Sequence, residues 1–292
     1  MAHAQSDYYI PHDTHWWPFI ISVGLFTLLA GFSTFLNGSS SGSTIMIIGA
    51  IIVVFVVFGW FGTVIRESES GTYNEQVDHS FRWGMAWFIF SEVMFFAAFF
   101  GALFYARELS LPWLSGEGVK GLITNATLYP GFQGIWPTEA NGPGHIGGDY
   151  EIMGAWGIPA INTLILLSSG VTVTWAHWGL KENNRKQLIL GLFATVALGI
   201  LFLSFQASEY GHAYTELNLT LGSGIYGTTF FMLTGFHGLH VTLGTIMLTV
   251  ILIRSMMGHF TPDNHFAFEG VAWYWHFVDV VWLGLFIFVY WL

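Results

Sequence analysis

The sequence predicts an all-α integral membrane protein with seven transmembrane helices, and three observations carry that prediction. Only 9% of the 292 residues are charged and 53% are hydrophobic, whereas an ordinary soluble domain carries roughly a quarter of its residues as charges. The apolar residues fall in seven long runs, each long enough for the roughly 20 helical residues that cross a bilayer. None of the runs alternates with period two over about ten residues, as a barrel strand does. Since backbone groups in lipid must bond internally, each run is a helix.

In order, the spans are Trp16 to Leu36, Thr44 to Ile65, Trp83 to Tyr105, Gly154 to Trp175, Leu188 to Ala207, Tyr226 to Ile253 and Val271 to Leu292. They form one membrane domain over residues 1–292. The first run follows a stretch, Met1 to His15, without Lys or Arg, and lacks a small-residue cleavage site, so it is expected to be retained and not removed as a signal peptide. Asn37 to Ser43 is a short Gly/Ser turn, whereas Arg107 to Met153 is a long Gly- and Pro-rich loop outside the membrane. Loops of that length are usually functional or disordered. No internal repeat of the secondary-transporter kind is evident.

Orientation follows from the Lys and Arg residues, which collect in cytoplasmic loops. With the N-terminus inside, Arg66, Arg82, Lys181, Arg185, Lys186 and Arg254 are cytoplasmic, and Arg107 and Lys120 lie outside. The C-terminus is then periplasmic. With no cysteine in the chain, disulfides, thiolate metal sites and iron–sulfur ligation are excluded. The net charge of −10 reports solvated loops and argues against a nucleic acid partner.

The informative residues are ionisable groups inside the spans. Glu92 lies about nine residues, or roughly 14 Å, into the third span. A charge at that depth costs on the order of 3 kcal/mol, so such acids face protein, water or polar lipid groups. Glu92 is therefore either a proton-linked or lipid-binding carboxyl, or a protonated acid making one interhelical hydrogen bond. His237 and His240, three apart on one face of the sixth span, have a spacing that can hold a metal or haem iron, or can simply pack by hydrogen bonding between helices. His276 and Asp279 share that spacing, which suits a carboxylate orienting an imidazole or a self-satisfied polar pair. Arg66, Glu67 and Arg82 flank the second loop near Trp60 and Trp83; they fit either a lipid headgroup phosphate or ordinary snorkelling. Asn162, Ser168, Ser169, Gly170, Thr172 and Thr174 give the fourth span a small, polar face for helix packing, before it ends at Thr174-Trp175-Ala176-His177. The fifth span ends in Gln206-Ala207-Ser208-Glu209-Tyr210, expected at the outer surface.

These segments resemble cytochrome c oxidase subunit III over essentially the whole chain. The likeness rests on Val64-Ile65-Arg66-Glu67-Ser68, Arg82-Trp83-Gly84-Met85, Ser91-Glu92-Val93-Met94-Phe95-Phe96, Trp136-Pro137, Asn162-Thr163 and Thr174-Trp175-Ala176-His177. It continues through Gln206-Ala207-Ser208-Glu209-Tyr210, Thr234-Gly235-Phe236-His237-Gly238-Leu239-His240-Val241 and Trp273-Tyr274-Trp275-His276-Phe277-Val278-Asp279-Val280-Val281-Trp282. The resemblance implies helices I–II separated from III–VII by a V-shaped, lipid-filled cleft. It also implies a subunit without haem or copper of its own, those groups residing in partner subunits.

By the same resemblance the partners are subunit I directly, subunit II and other oxidase subunits, with cytochrome c as electron donor to the complex. The implied role is support of proton uptake and turnover stability in the oxygen-reducing subunit I. Glu92 takes the place of the membrane carboxyl that reacts with carbodiimides, and Trp60, Arg66, Glu67 and Arg82 take that of phospholipid holders. His177, His237, His240, His276 and Asp279 are assigned structural polar roles. Relatives often carry a second histidine after the one matching His177, where this chain has Trp178. The long outer loop resembles bacterial forms, particularly gammaproteobacterial ones, which implies a bacterial inner membrane. Three other readings compete: subunit III of a quinol oxidase, usually of five helices; a stand-alone proton-coupled transporter using Glu92; and a haem or metal enzyme using His237, His240 and His276.

Overall fold

A computed structural model describes residues 16–137 and 148–292. Residues 1–15 and residues 138–147 of the long loop lie outside the described residues. Seven helices are long and apolar enough to cross a membrane, as the run lengths predict. The chain divides into two compact units, Met1–Trp83 and Gly84–Leu292.

The first unit is built on the hairpin of α1 (Trp17–Leu36) and α2 (Gly42–Glu69). Pro18 lies in the first turn of α1, where its missing N–H leaves no bond unmade. The two helices approach so closely that a Cβ at Gly31 would strike the backbone of Met46, and one at Gly49 the backbone of Leu28. Apolar chains gain little by leaving lipid tails, so close backbone approach at small residues is what joins two such helices.

Helix α3 (Glu75–Phe104) runs on through a π-helical turn (Tyr105–Ser110) into α4 (Leu111–Leu114), a continuous stretch of 40 residues. At 1.5 Å per residue it is about 60 Å long, twice the hydrocarbon thickness, so both ends project beyond the lipid. The expected loop from Arg107 is thus corrected: its first residues are helical. The physical reason is that the π-helical turn changes the hydrogen-bond register just before Pro112, so the chain stays helical past a residue that has no N–H to donate. Helix α5 (Gly118–Leu128) then folds back, and its Asn125 side-chain amide donates to the carbonyls of Leu114 and Tyr129 at 2.9 and 3.0 Å.

The core of the second unit lies among α6 (Ile158–Lys181), α7 (Arg185–Thr215), α8 (Gly224–Met257) and α9 (Phe266–Leu285, extended by a π-helical turn to Trp291). Helix α7 starts where the Asn184 side chain accepts from the Gln187 N–H. Helix α8 stops at Gly258, whose φ of 94° suits a glycine C-cap. Phe202, Phe230, Trp275 and Trp282 are fully buried at the centre. The indole N–H of Trp275 donates to Ser169 Oγ and that of Trp282 to Thr163 Oγ1, both at 2.9 Å, so one face of α9 is bonded to the small polar face of α6.

At Gln206–Tyr210, the expected outer end of the fifth span, α7 continues to Thr215, and Gln206 and Glu209 are buried within the protein at 5% and 1% exposure. The apolar run ends there because a buried hydrogen-bonding group occupies the position, not because the helix leaves the protein: Tyr290 O–H donates to Glu209 Oε1 at 2.6 Å.

Candidate functional site

Glu92 and His240 are 148 residues apart in sequence and meet between α3 and α8. Glu92 Oε2 lies 2.9 Å from His240 Nε2, and the two side chains are 21% and 10% exposed. Helical geometry aims both: Glu92 stands in the middle of α3, and His240 follows Phe236 by one turn of α8. The other ring nitrogen, Nδ1, is 2.6 Å from the Phe236 carbonyl. A carbonyl only accepts, so Nδ1 carries a proton and the tautomer is fixed. One further proton then lies on the line between Oε2 and Nε2, whether the pair is acid and imidazole or carboxylate and imidazolium. In both forms the pair is neutral overall, which makes it compatible with a low-dielectric interior.

Aromatic rings enclose the imidazole. Phe96 packs edge-on at 5.0 Å between centroids, and Tyr274 lies nearly parallel at 6.2 Å. The geometry matches an interhelical hydrogen bond.

His237, one turn before His240 on α8, points elsewhere. It is fully buried, its Nε2–H donates to the Val278 carbonyl at 3.2 Å, and its ring lies between Phe202 and Trp282. The shared-face spacing therefore does not converge on one ion: His237 serves the α8–α9 contact and His240 serves α3. His276 links α9 to α6, with Nε2 3.2 Å from Thr174 Oγ1 and Nδ1 3.7 Å from Asp279 Oδ2. Gly170 makes room for this carboxylate, since a Cβ there would meet Asp279 Oδ2. His177 lies near the end of α6 beside His265 and Glu269, two residues that the sequence reading did not single out. The signal available for them was the i, i+4 spacing of His265 and Glu269, which places both on one helix face.

The proposed lipid residues all fall in the first unit, Trp60, Arg66 and Glu67 on α2 and Arg82 on α3. Tyr73 O–H donates to Glu67 Oε2 at 2.7 Å, and Arg82 pairs with Asp78 at 2.7 Å. Arg66 is exposed, with its guanidinium 3.1 Å from Thr63 Oγ1. Trp60 is partly buried on the last turns of α2.

Comparison with known proteins gives the family. The model of cytochrome c oxidase subunit III matches residues 7–115 and 142–292. Cytochrome c oxidase subunit 3 of Marchantia polymorpha is 40% identical over 94% of this chain and 92% of its own length. The proteins of the same name from Arabidopsis thaliana and Pongo abelii are 38% and 39% identical over the whole of this chain, covering 98% and 99% of the relatives. With a family model spanning most of the sequence and relatives aligned end to end, the chain belongs to the cytochrome c oxidase subunit III family.

Proposed function

We propose that this chain is the subunit III of a proton-pumping cytochrome c oxidase, seated against catalytic subunit I within a complex that includes subunit II. In that complex it sustains proton uptake and turnover stability, while electrons pass from cytochrome c through haem and copper in the partner subunits. The observation that carries this reading is end-to-end similarity to proteins named cytochrome c oxidase subunit 3. The two N-terminal helices α1 and α2 favour the cytochrome c branch over the quinol branch.

Phospholipid is assigned to Trp60, Arg66, Glu67 and Arg82. Their support is the exposed guanidinium of Arg66 in the last turn of α2. The membrane is assigned as a bacterial inner membrane, with the N-terminus cytoplasmic. The bacterial assignment rests only on the resemblance of the long outer loop, of which residues 116–141 fall outside the family match. The relatives named above are from two plants and a mammal, and they favour no bacterial lineage.

Affinity purification of the tagged chain from its native membrane tests the reading. Haem-bearing partners and cytochrome c oxidation should copurify with it. Substituting Arg66 and Arg82 by Ala should lower retained phospholipid and shorten the active lifetime of the enzyme. The proposal fails if the isolated chain binds haem itself, or drives solute-coupled proton flux alone in liposomes.

A further inference from the structure

We propose that His177, His265 and Glu269 form a binding site for a divalent transition-metal ion of the zinc class, with water completing the coordination. The three residues come from two helices, His177 near the end of α6, His265 capping the start of α9 and Glu269 in its first turn. Their ligand atoms all lie within 4.8 Å of one another, and this is the one group of three such side chains found among the described residues. His177 Nε2 is 3.4 Å and His265 Nε2 3.3 Å from the same oxygen, Glu269 Oε1. A tetrahedral ion with bonds of about 2.1 Å sets its ligand atoms about 3.4 Å apart, so the two nitrogens stand from the carboxylate at the spacing that zinc imposes.

Proton placement points the same way. His265 Nδ1 lies 3.1 Å from the Thr261 carbonyl, which only accepts, so Nδ1 carries the ring proton. In the neutral ring Nε2 then presents a lone pair towards a carboxylate oxygen. Neither His177 Nε2 nor His265 Nε2 makes a hydrogen bond, and the lone pair of His265 Nε2 against the Glu269 carboxylate calls for a cation between them. The backbone bond at Nδ1 is the outer-shell arrangement that orients a metal-binding imidazole. The donor set, two imidazoles and one carboxylate with no thiolate, is that of zinc sites with an open position. Side chains 20%, 8% and 12% exposed give an ion a way in while holding the ligands in place. The Lys181 ammonium, one turn further along α6, opposes a cation and lowers the affinity without removing the ligands.

The test uses the purified full-length chain, stripped with a chelator and then titrated with zinc sulfate, with bound metal measured after desalting. About one zinc per chain should be retained by the native sequence. That equivalent should be lost from His265→Ala and from Glu269→Gln. Cobalt(II) added to the native chain gives an independent reading that no variant's folding can obscure. It should produce visible absorption that zinc then displaces. Zinc retained equally by the variants, or no retained zinc together with no zinc-displaceable cobalt absorption in the native chain, overturns the proposal. The latter outcome would mean that a proton is the cation these groups share.

Discussion

The pairing of Glu92 with His240 shows what one polar contact does inside an apolar bundle. A buried donor or acceptor left without its partner costs about 1–3 kcal/mol, so each residue is costly to remove alone and cheaper to remove together. Glu92→Gln should be nearly neutral for assembly and change turnover modestly, because a side-chain amide can still donate to His240 Nε2 across the 2.9 Å gap. Glu92→Leu and His240→Leu should each lower stability in detergent by about 1–3 kcal/mol, while the double variant loses less than the sum. Strictly additive losses in thermal unfolding would show that the two side chains do not interact. The acid was legible in the sequence because a carboxylate in an apolar run is conspicuous. Its partner was not, since a separation of 148 positions along the chain carries no distance information. The burial of Glu209 was not legible for a related reason: its place at the end of an apolar run gives no sign that Tyr290 meets it.

At the level of elements, every span was legible from run length, but helix ends were not. Helix α3 starts at Glu75 and not near Trp83, and α7 runs to Thr215 and not to Ala207. Helical hydrogen bonding continues past the lipid boundary, while hydropathy stops at it. Contacts between helices were legible only as composition. The small residues of α6 announced close packing, yet not that Ser169 and Thr163 would accept the two indole N–H groups of α9. The α1–α2 hairpin offers a sharp test of close approach. Replacing glycine by alanine inside a helix normally gains about 1 kcal/mol in propensity. At Gly62, where an added Cβ meets nothing, Gly62→Ala should leave the unfolding temperature unchanged or raise it. At Gly31 the same methyl strikes the backbone of Met46, and overpacking of about 1–3 kcal/mol should exceed the propensity gain. Gly31→Ala should therefore lower the unfolding temperature, and equal behaviour of the two variants would contradict the hairpin packing.

For the whole molecule, orientation is the property that the fold leaves open and charge distribution addresses. Juxtamembrane Lys and Arg set topology because translocating them is unfavourable, and six of the eight fall on one side of the seven spans. The described helix ends give this asymmetry a physical address. If the spans alternate, the α2–α3 turn, the α6–α7 turn and the α8–α9 connection are expected on the basic side, and the α1–α2 turn, the region of α5 and the α7–α8 connection on the other. A chain without cysteine makes the test direct, since any introduced thiol is the only one on the chain. Ser40→Cys and Lys120→Cys, both exposed, should react with a membrane-impermeant maleimide in intact cells. Glu182→Cys and Asp263→Cys, also exposed, should react only after the membrane is opened. The same result would place the His177, His265 and Glu269 cluster at the cytoplasmic face, because Asp263 precedes α9 on the side where α6 ends. Labelling in the opposite sense would invert the topology and move that cluster to the outer surface, whereas labelling of all four sites in intact cells would break the alternation that seven spans require.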